Sequence, residues 1–235
     1  MAKGTERAPE GVQVKICGLT RRRDALLADE LGADYLGVVL TAGFGRSVEP
    51  DAAGALVAGT KATKVVVLVN ESPPEAESRA LALGAGVIQL HGEEDLSVLE
   101  GLRSRGDWKL WKSVRARSVE DVKLVVDRYG GVADGILVEG WKEGVVGGDG
   151  AMLSVQSGAV RAAITEGLDF VLAGGLAPDN VAEAVALLRP DVVDVSSGIE
   201  AALRRKAPNL VRAFIDAVSV ASCLLSQDDT EPHRD

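Results

Sequence analysis

A closed barrel of eight parallel strands, each followed by an outer helix, is the fold class the sequence predicts. Three observations predict it. Short apolar, β-branched runs recur eight times; Ala/Leu/Glu/Arg-rich stretches of helical spacing separate them; and glycines gather just after the runs. Strands alternating with helices pair in parallel, because a parallel return needs a crossover. Runs that are apolar throughout are expected where both sheet faces are covered. Eight such units in 235 residues suit a single (β/α)8 barrel, which runs to about 250 residues as one domain. The competing architecture, a doubly wound open sheet, usually has fewer strands.

The first strand is expected over residues 12–17, followed by a helix over 20–31 that Thr20 caps and Gly32 stops. Strands two and three fall at 35–40 and 64–69, and a helix over 74–83 ends before Gly84. Strand four (86–90) precedes a helix over 93–105; strand five (109–114) precedes one over 118–128, each ending ahead of a glycine. Strand six is placed at 135–139 and strand seven at 169–173. The helix over 178–188 has Pro178 in its first turn and Pro190 beyond its end. Strand eight (192–196) and a last helix (208–225) complete one domain over 12–225. Residues 1–11 and 226–235 are expected to be solvated tails.

Composition narrows the function. With 26 Lys and Arg against 35 Asp and Glu, the chain carries a net charge of −9. Such a surface gives no general attraction to nucleic acid or to an anionic membrane. Three Trp, two Tyr and three Phe are too few for base-stacking platforms. No apolar run reaches ~18 residues, so no spanning helix is expected, and the polar start of the chain lacks the core of a secretory signal. Two cysteines make no disulfide framework, so a reducing, cytoplasmic setting is expected. Cys17, Cys223, His91 and His233 form no zinc pattern, so no metal is expected.

Several residues carry candidate chemistry. Gly174 and Gly175 follow strand seven, and Ser197 and Gly198 follow strand eight. Loops after strands seven and eight of such barrels form a recurrent phosphate site, held by free backbone N–H groups. Cys17 ends strand one, where its thiol is either a general base or inert core. Glu139 ends strand six, where burial would fit a carboxyl group to donate a proton; otherwise it is a surface carboxylate near Lys142. Arg46, in the loop after strand two, is a carboxylate fork or a solvated charge. Gln89 and His91 close strand four, as site lining or as core.

Together these positions resemble the phosphoribosylanthranilate isomerase family, whose fold is the TIM barrel. Val14-Lys15-Ile16-Cys17-Gly18-Leu19-Thr20 looks like its strand-one signature and Gln89-Leu90-His91-Gly92-Glu93 its strand-four signature. Gly147-Gly148-Asp149-Gly150 resembles its glycine loop after strand six. Leu172-Ala173-Gly174-Gly175-Leu176 and Asp194-Val195-Ser196-Ser197-Gly198-Ile199-Glu200 resemble its last two phosphate loops. The resemblance spans residues 12–220 and implies an Amadori rearrangement of a phosphorylated sugar-amine, with no cofactor. It implies Cys17 as general base, Glu139 as general acid and Arg46 as the contact to the anthranilate. Gln89, His91, Gly147, Gly148, Asp149, Gly174, Gly175, Ser197 and Gly198 would contact substrate. A monomer or homodimer is expected, with no macromolecular partner.

The chain departs from the family pattern in places. Glutamate stands where the family has aspartate as acid, Phe44-Gly45-Arg46 replaces Ser-Pro-Arg, and Gly-Gly-Asp-Gly replaces Gly-Gly-Thr-Gly. Asp149 is therefore an alternative carrier of the acid role. Two rival functions follow from the departures: a related isomerase acting on another phosphoribosyl aryl amine, or a non-catalytic binder of phosphorylated ligands.

Overall fold

The computed structural model describes residues 11–140 and 157–228. Eight parallel strands close into a ring in chain order, and β1 pairs with β8 to seal it. The first half runs β1 (Gln13–Ile16), α1 (Arg22–Glu30), β2 (Tyr35–Val39), α2 (Pro50–Val57), β3 (Thr63–Leu68), α3 (Pro73–Leu83), β4 (Val87–Leu90) and α4 (Leu96–Arg103). The second runs β5 (Lys109–Ala116), α5 (Val119–Tyr129), β6 (Gly135–Gly140), α6 (Ser157–Ala163), β7 (Asp169–Ala173), α7 (Val181–Leu188) and β8 (Val192–Val195). A 3-10 turn (Ser197–Ile199), a small antiparallel pair β9 (Glu200–Ala202) and β10 (Arg205–Lys206), and α8 (Pro208–Asp228) follow.

Side chains alternate between two cores, as strand geometry requires. Ile16, Leu36, Val66, Ile88, Leu110, Ile136, Phe170 and Val193 point outward and pack against the helices. Tyr35, Val65, Val87, Trp111, Leu137, Val171 and Val192 fill the barrel interior. There Tyr35 and Trp111 meet edge-to-face with centroids 5.0 Å apart, and their polar ends reach Gln13 Oε1 (3.2 Å) and Asp169 Oδ2 (3.1 Å). Above this apolar layer, toward the C-terminal ends of the strands, the inward positions turn polar: Lys15, Gln89 and Asp194, all buried.

The helices obey local signals, with some corrections to the sequence expectations. Thr20 does not cap α1: its hydroxyl donates to Arg204 O (3.1 Å), and α1 begins after Arg21, whose guanidinium binds Asp24. The helix expected from residue 93 starts at Leu96, because Asp95 caps it and accepts from Ser97 N (2.9 Å). Pro178 lies ahead of α7 rather than in its first turn; the Asn180 side chain accepts from Ala177 N (2.8 Å) and closes a separate turn there. The helices α2 and α6 were expected only as parts of the repeating βα unit, without ranges, and the β9–β10 pair was not foreseen. The first two are only 8 and 7 residues long, and α2 carries Gly54 in its middle.

The last helix corrects one expectation. It continues past Leu225 to Asp228, so the tail does not begin at 226. Its 19 residues Pro208–Ser226 are also long and apolar enough, by length and composition, to cross a membrane. Here Val211, Phe214, Val218 and Ala221, spaced three and four residues apart, pack into the outer core instead. Replacing fully buried Phe214 with alanine is expected to cost about 3–5 kcal/mol. Val220→Ser, on the same helix but 63% exposed, should stay within ~0.5 kcal/mol. Urea denaturation of the two variants checks both.

Candidate active site

Cys17 sits one residue beyond β1, yet its N–H still donates to Val195 O of β8 (2.8 Å), which fixes the thiol at the barrel mouth. It is only 8% exposed. Two positions back on the same inward face, Lys15 forms an ion pair with Asp194 Oδ2 at 2.9 Å. Burial pushes the Cys17 thiol above its ordinary range, and Asp194 adds to that; Lys15 and Lys206 pull the other way.

Glu139 lies one residue before the end of β6, on its inward face. Its Oε2 lies 3.1 Å from Arg115 Nε of β5 and 3.7 Å from His91 Nε2 of β4. The other ring nitrogen of His91 is 2.9 Å from Ser113 Oγ and 3.2 Å from Gln89 Nε2. An amide nitrogen has only protons to offer, so Nδ1 is the acceptor and the ring proton is assigned to Nε2, toward Glu139. Burial lowers the His91 pKa, Glu139 opposes the drop and Arg115 reinforces it, so the imidazole is neutral near pH 7. Glu94 pins the loop that follows His91: its carboxylate accepts from Asn70 N (2.9 Å) and Gly92 N (3.0 Å) and pairs with buried Lys112 (2.9 Å).

The loops after β7 and β8 touch. Gly174 and Gly175 take left-handed φ values of 90° and 68°, which suit glycine. A side chain on Gly198 would collide with Leu176 O, so the Ser197–Gly198 turn lies directly against the Gly174–Gly175 loop. A Cβ on Gly174 would come 3.1 Å from Glu139 Cγ, which places this double loop beside the β6 carboxyl group. Arg46 points to the same mouth from the loop after β2. Its Nε and Nη2 donate to Glu200 Oε1 (2.9 Å) and Oε2 (2.6 Å). Glu200 also meets Lys206 Nζ (3.2 Å), which donates to Ser196 O (2.9 Å).

A barrel with this rim is what a comparison with known proteins returns. The family model for N-(5'-phosphoribosyl)anthranilate isomerase matches residues 14–217. The chain belongs to this isomerase family. The Pseudomonas paraeruginosa member is 40% identical over 209 residues, covering 88% of this chain and 95% of that protein. The Trichlorobacter lovleyi member is 36% identical over 206 residues, 87% of this chain and 96% of that one. The solved Thermotoga maritima phosphoribosylanthranilate isomerase superposes with a TM-score of 0.79 at 30% identity, over 89% of this chain and 99% of that one. Another solved isomerase, in complex with reduced 1-(o-carboxyphenylamino)-1-deoxyribulose 5-phosphate, gives 0.76 at 30% identity over 89% of this chain and 99% of that one.

In this phosphoribosylanthranilate isomerase family member, the structure gathers Cys17, Gln89, His91, Glu139, Gly174, Gly175, Ser197, Gly198 and Arg46 at one end of the barrel. Gly147, Gly148, Asp149 and Lys142 lie outside the described residues. Cys223 stands apart, exposed on α8. Five charged residues of the mouth were missed in the sequence: Lys15, Asp194, Arg115, Glu200 and Lys206. Period two could have found the first two, since Lys15 precedes Cys17 and Asp194 precedes Ser196 by two positions on the inward face. Glu200 and Lys206 sit on the unforeseen β9–β10 pair, so no local signal pointed to them.

The lowered His91 pKa has a consequence for stability. An unfolded chain takes up the imidazole proton near the ordinary 6.5, whereas the folded chain does so only at lower pH. His91 therefore contributes stability above that value, and the contribution is lost as the pH falls below it. Urea unfolding at pH 7.5 and 5.5 should show a smaller pH-dependent loss for His91→Gln than for the unaltered protein.

Proposed function

We propose that this chain converts N-(5-phosphoribosyl)anthranilate to 1-(2-carboxyphenylamino)-1-deoxyribulose 5-phosphate by general acid–base catalysis, within tryptophan biosynthesis. One observation carries the residue assignments. A buried thiol lies one residue past β1 and a carboxyl group one residue before the end of β6, and the two glycine loops rise from the strands between them in the ring, β7 and β8. A substrate anchored by its phosphate on those loops would lie with acid on one side and base on the other.

In this scheme the backbone of Gly174, Gly175, Ser197 and Gly198 holds the phosphate. Glu139 gives its proton to the furanose ring oxygen as the C1′–O bond breaks, and the nitrogen lone pair forms the Schiff base. Cys17, as thiolate, removes the proton from C2′. The electron pair left behind neutralises the iminium and gives an enamine, which takes a proton at C1′ as its 2′-hydroxyl gives one up, leaving the ketone. No electrons are gained or lost overall, so the scheme needs no redox partner. Gln89 and His91 line the floor and orient Glu139. The Arg46–Glu200 pair stands where the anthranilate carboxylate would be read.

Since Glu200 already occupies the Arg46 fork, a second reading is a relative that accepts a different aryl amine. We place the protein in the reducing cytoplasm, because a thiol base must stay free. We place its assembly at monomer or homodimer, supported by the Thermotoga maritima isomerase that is described as dimeric and from which monomers were generated.

Loss of substrate fluorescence, with the substrate generated in situ, tests the scheme. Cys17→Ala and Glu139→Ala should each lower kcat about 10²–10⁴-fold. Glu139→Asp, one methylene shorter, should lose up to ~10²-fold through misplacement, with KM little changed. Full turnover in Glu139→Ala would remove that residue from the acid role. A folded protein that binds the product analogue but turns over no substrate would favour the second reading.

A further inference from the structure

Lys15 has no task in the scheme above, yet its surroundings give it one. Its side chain is fully buried in the polar layer of the barrel, and its ammonium faces Asp194 across the β1–β8 seam at 2.9 Å. The geometry of the pair is imperfect: Lys15 Nζ has no well-aligned hydrogen-bond acceptor and Asp194 Oδ1 has no donor among the described residues. A buried ion pair with unmet hydrogen bonds contributes little to stability; apolar residues of the same volume often do as well or better. The ammonium therefore has donors in hand for an anion.

The thiolate of Cys17 would be such an anion. A Cβ built on Gly37 of β2 would lie 2.8 Å from Cys17 Sγ and 3.2 Å from Lys15 Cε. The thiol and the end of the lysine chain thus share the hollow that Gly37 leaves. We propose that Lys15 is a positioning residue for Cys17: its ammonium, anchored by Asp194, is the counter-charge on which formation of the thiolate depends. This rests on Cys17 being the base.

The other charges around the sulfur do not replace Lys15. Lys206, from β10, already gives its protons to Ser196 O and Glu200. Arg46 is held by Glu200. His91, Glu139 and Arg115, from β4, β6 and β5, form their own cluster. Asp194 by itself works against the thiolate; its part is to keep Lys15 charged. Burial pulls the lysine down, but Asp194 and then the Cys17 sulfur hold its pKa above the ordinary range.

Alkylation of the thiol by iodoacetamide, followed against pH, is the test. Cys223→Ser provides the background, since Cys17 is then the sole thiol of the chain. In Lys15→Met the alkylation midpoint should move up by about one pH unit or more, which slows the reaction roughly tenfold at pH 8. The rising limb of the kcat profile should move with it, KM should stay within about twofold, and Lys15→Arg should recover part of the shift. An unchanged midpoint, or a rise in KM alone, overturns the proposal.

Should Lys15→Met fail to fold, NMR of ¹³C-lysine-labelled Cys223→Ser protein decides instead. One lysine Cε resonance is expected to step at the thiol midpoint and to lose that step in Cys17→Ala; absence of the step overturns the proposal. Turnover that survives Cys17→Ala would sink the base assignment, whatever the alkylation profile shows. An inactive Cys17→Ala with an unmoved midpoint in Lys15→Met would sink only the Lys15 inference.

Discussion

The pairing of β1 with β8 joins the first strand of the barrel to the last, and the mouth of the barrel depends on it. Four register pairs, from Gln13↔Val192 to Ile16↔Val195, hold this seam. One of them sets Lys15 opposite Asp194, and the next hydrogen bond along, from Cys17 N to Val195 O, fixes the thiol. The 3-10 turn and the β9–β10 pair then leave β8 over the same spot. Lys206 N reaches Asp24 of α1 (3.1 Å), which ties that addition back to the first βα unit. Loss of the seam would disperse Cys17, the glycine loop after β8 and the neighbouring cations together.

The interior of the barrel is divided by polarity. Its lower layer is apolar apart from ring-edge hydrogen bonds, and it provides stability by burial. Its upper layer holds Lys15, Gln89 and Asp194, each with an atom that meets no protein hydrogen-bond partner among the described residues. Such atoms lower stability, because desolvation is not repaid. The concentration of unmet groups at the catalytic end, and not below it, marks where a polar ligand would repay them.

The charge pattern also shapes how an anion would be bound. The chain is acidic overall, and each of four cations around the mouth faces a carboxylate: Lys15 with Asp194, Arg46 and Lys206 with Glu200, Arg115 with Glu139. In the proposed scheme a phosphate would meet backbone N–H groups on glycine loops more than side-chain charge. Neutral dipoles already held in place need little reorganisation when the ligand binds. On that scheme, glycines and not a lysine cluster are what the positions after β7 and β8 call for.

The sequence by itself determined the ring of strands, most of the helices, and the positions of Cys17, Glu139 and the glycine loops. All of these are local: a short apolar run, a terminal glycine and a strand end are written in neighbouring residues. The ranges of α2 and α6 and the β9–β10 pair escaped: Gly54 interrupts α2, α6 has only 7 residues, and the pair is charged enough to read as solvent-facing. Thr20 and Pro178 carried sound local signals that partners elsewhere overrode, Arg204 O for Thr20 and the Asn180 turn for Pro178. Only the tertiary structure decided that Glu200 holds Arg46, that His91 faces Glu139, and that Lys15, Asp194 and Cys17 meet beside Gly37. Those contacts join residues as many as 179 positions apart, as Lys15 and Asp194 are. Barrel closure is what brings them together, and no pattern within a single strand encodes the distance between two strand ends.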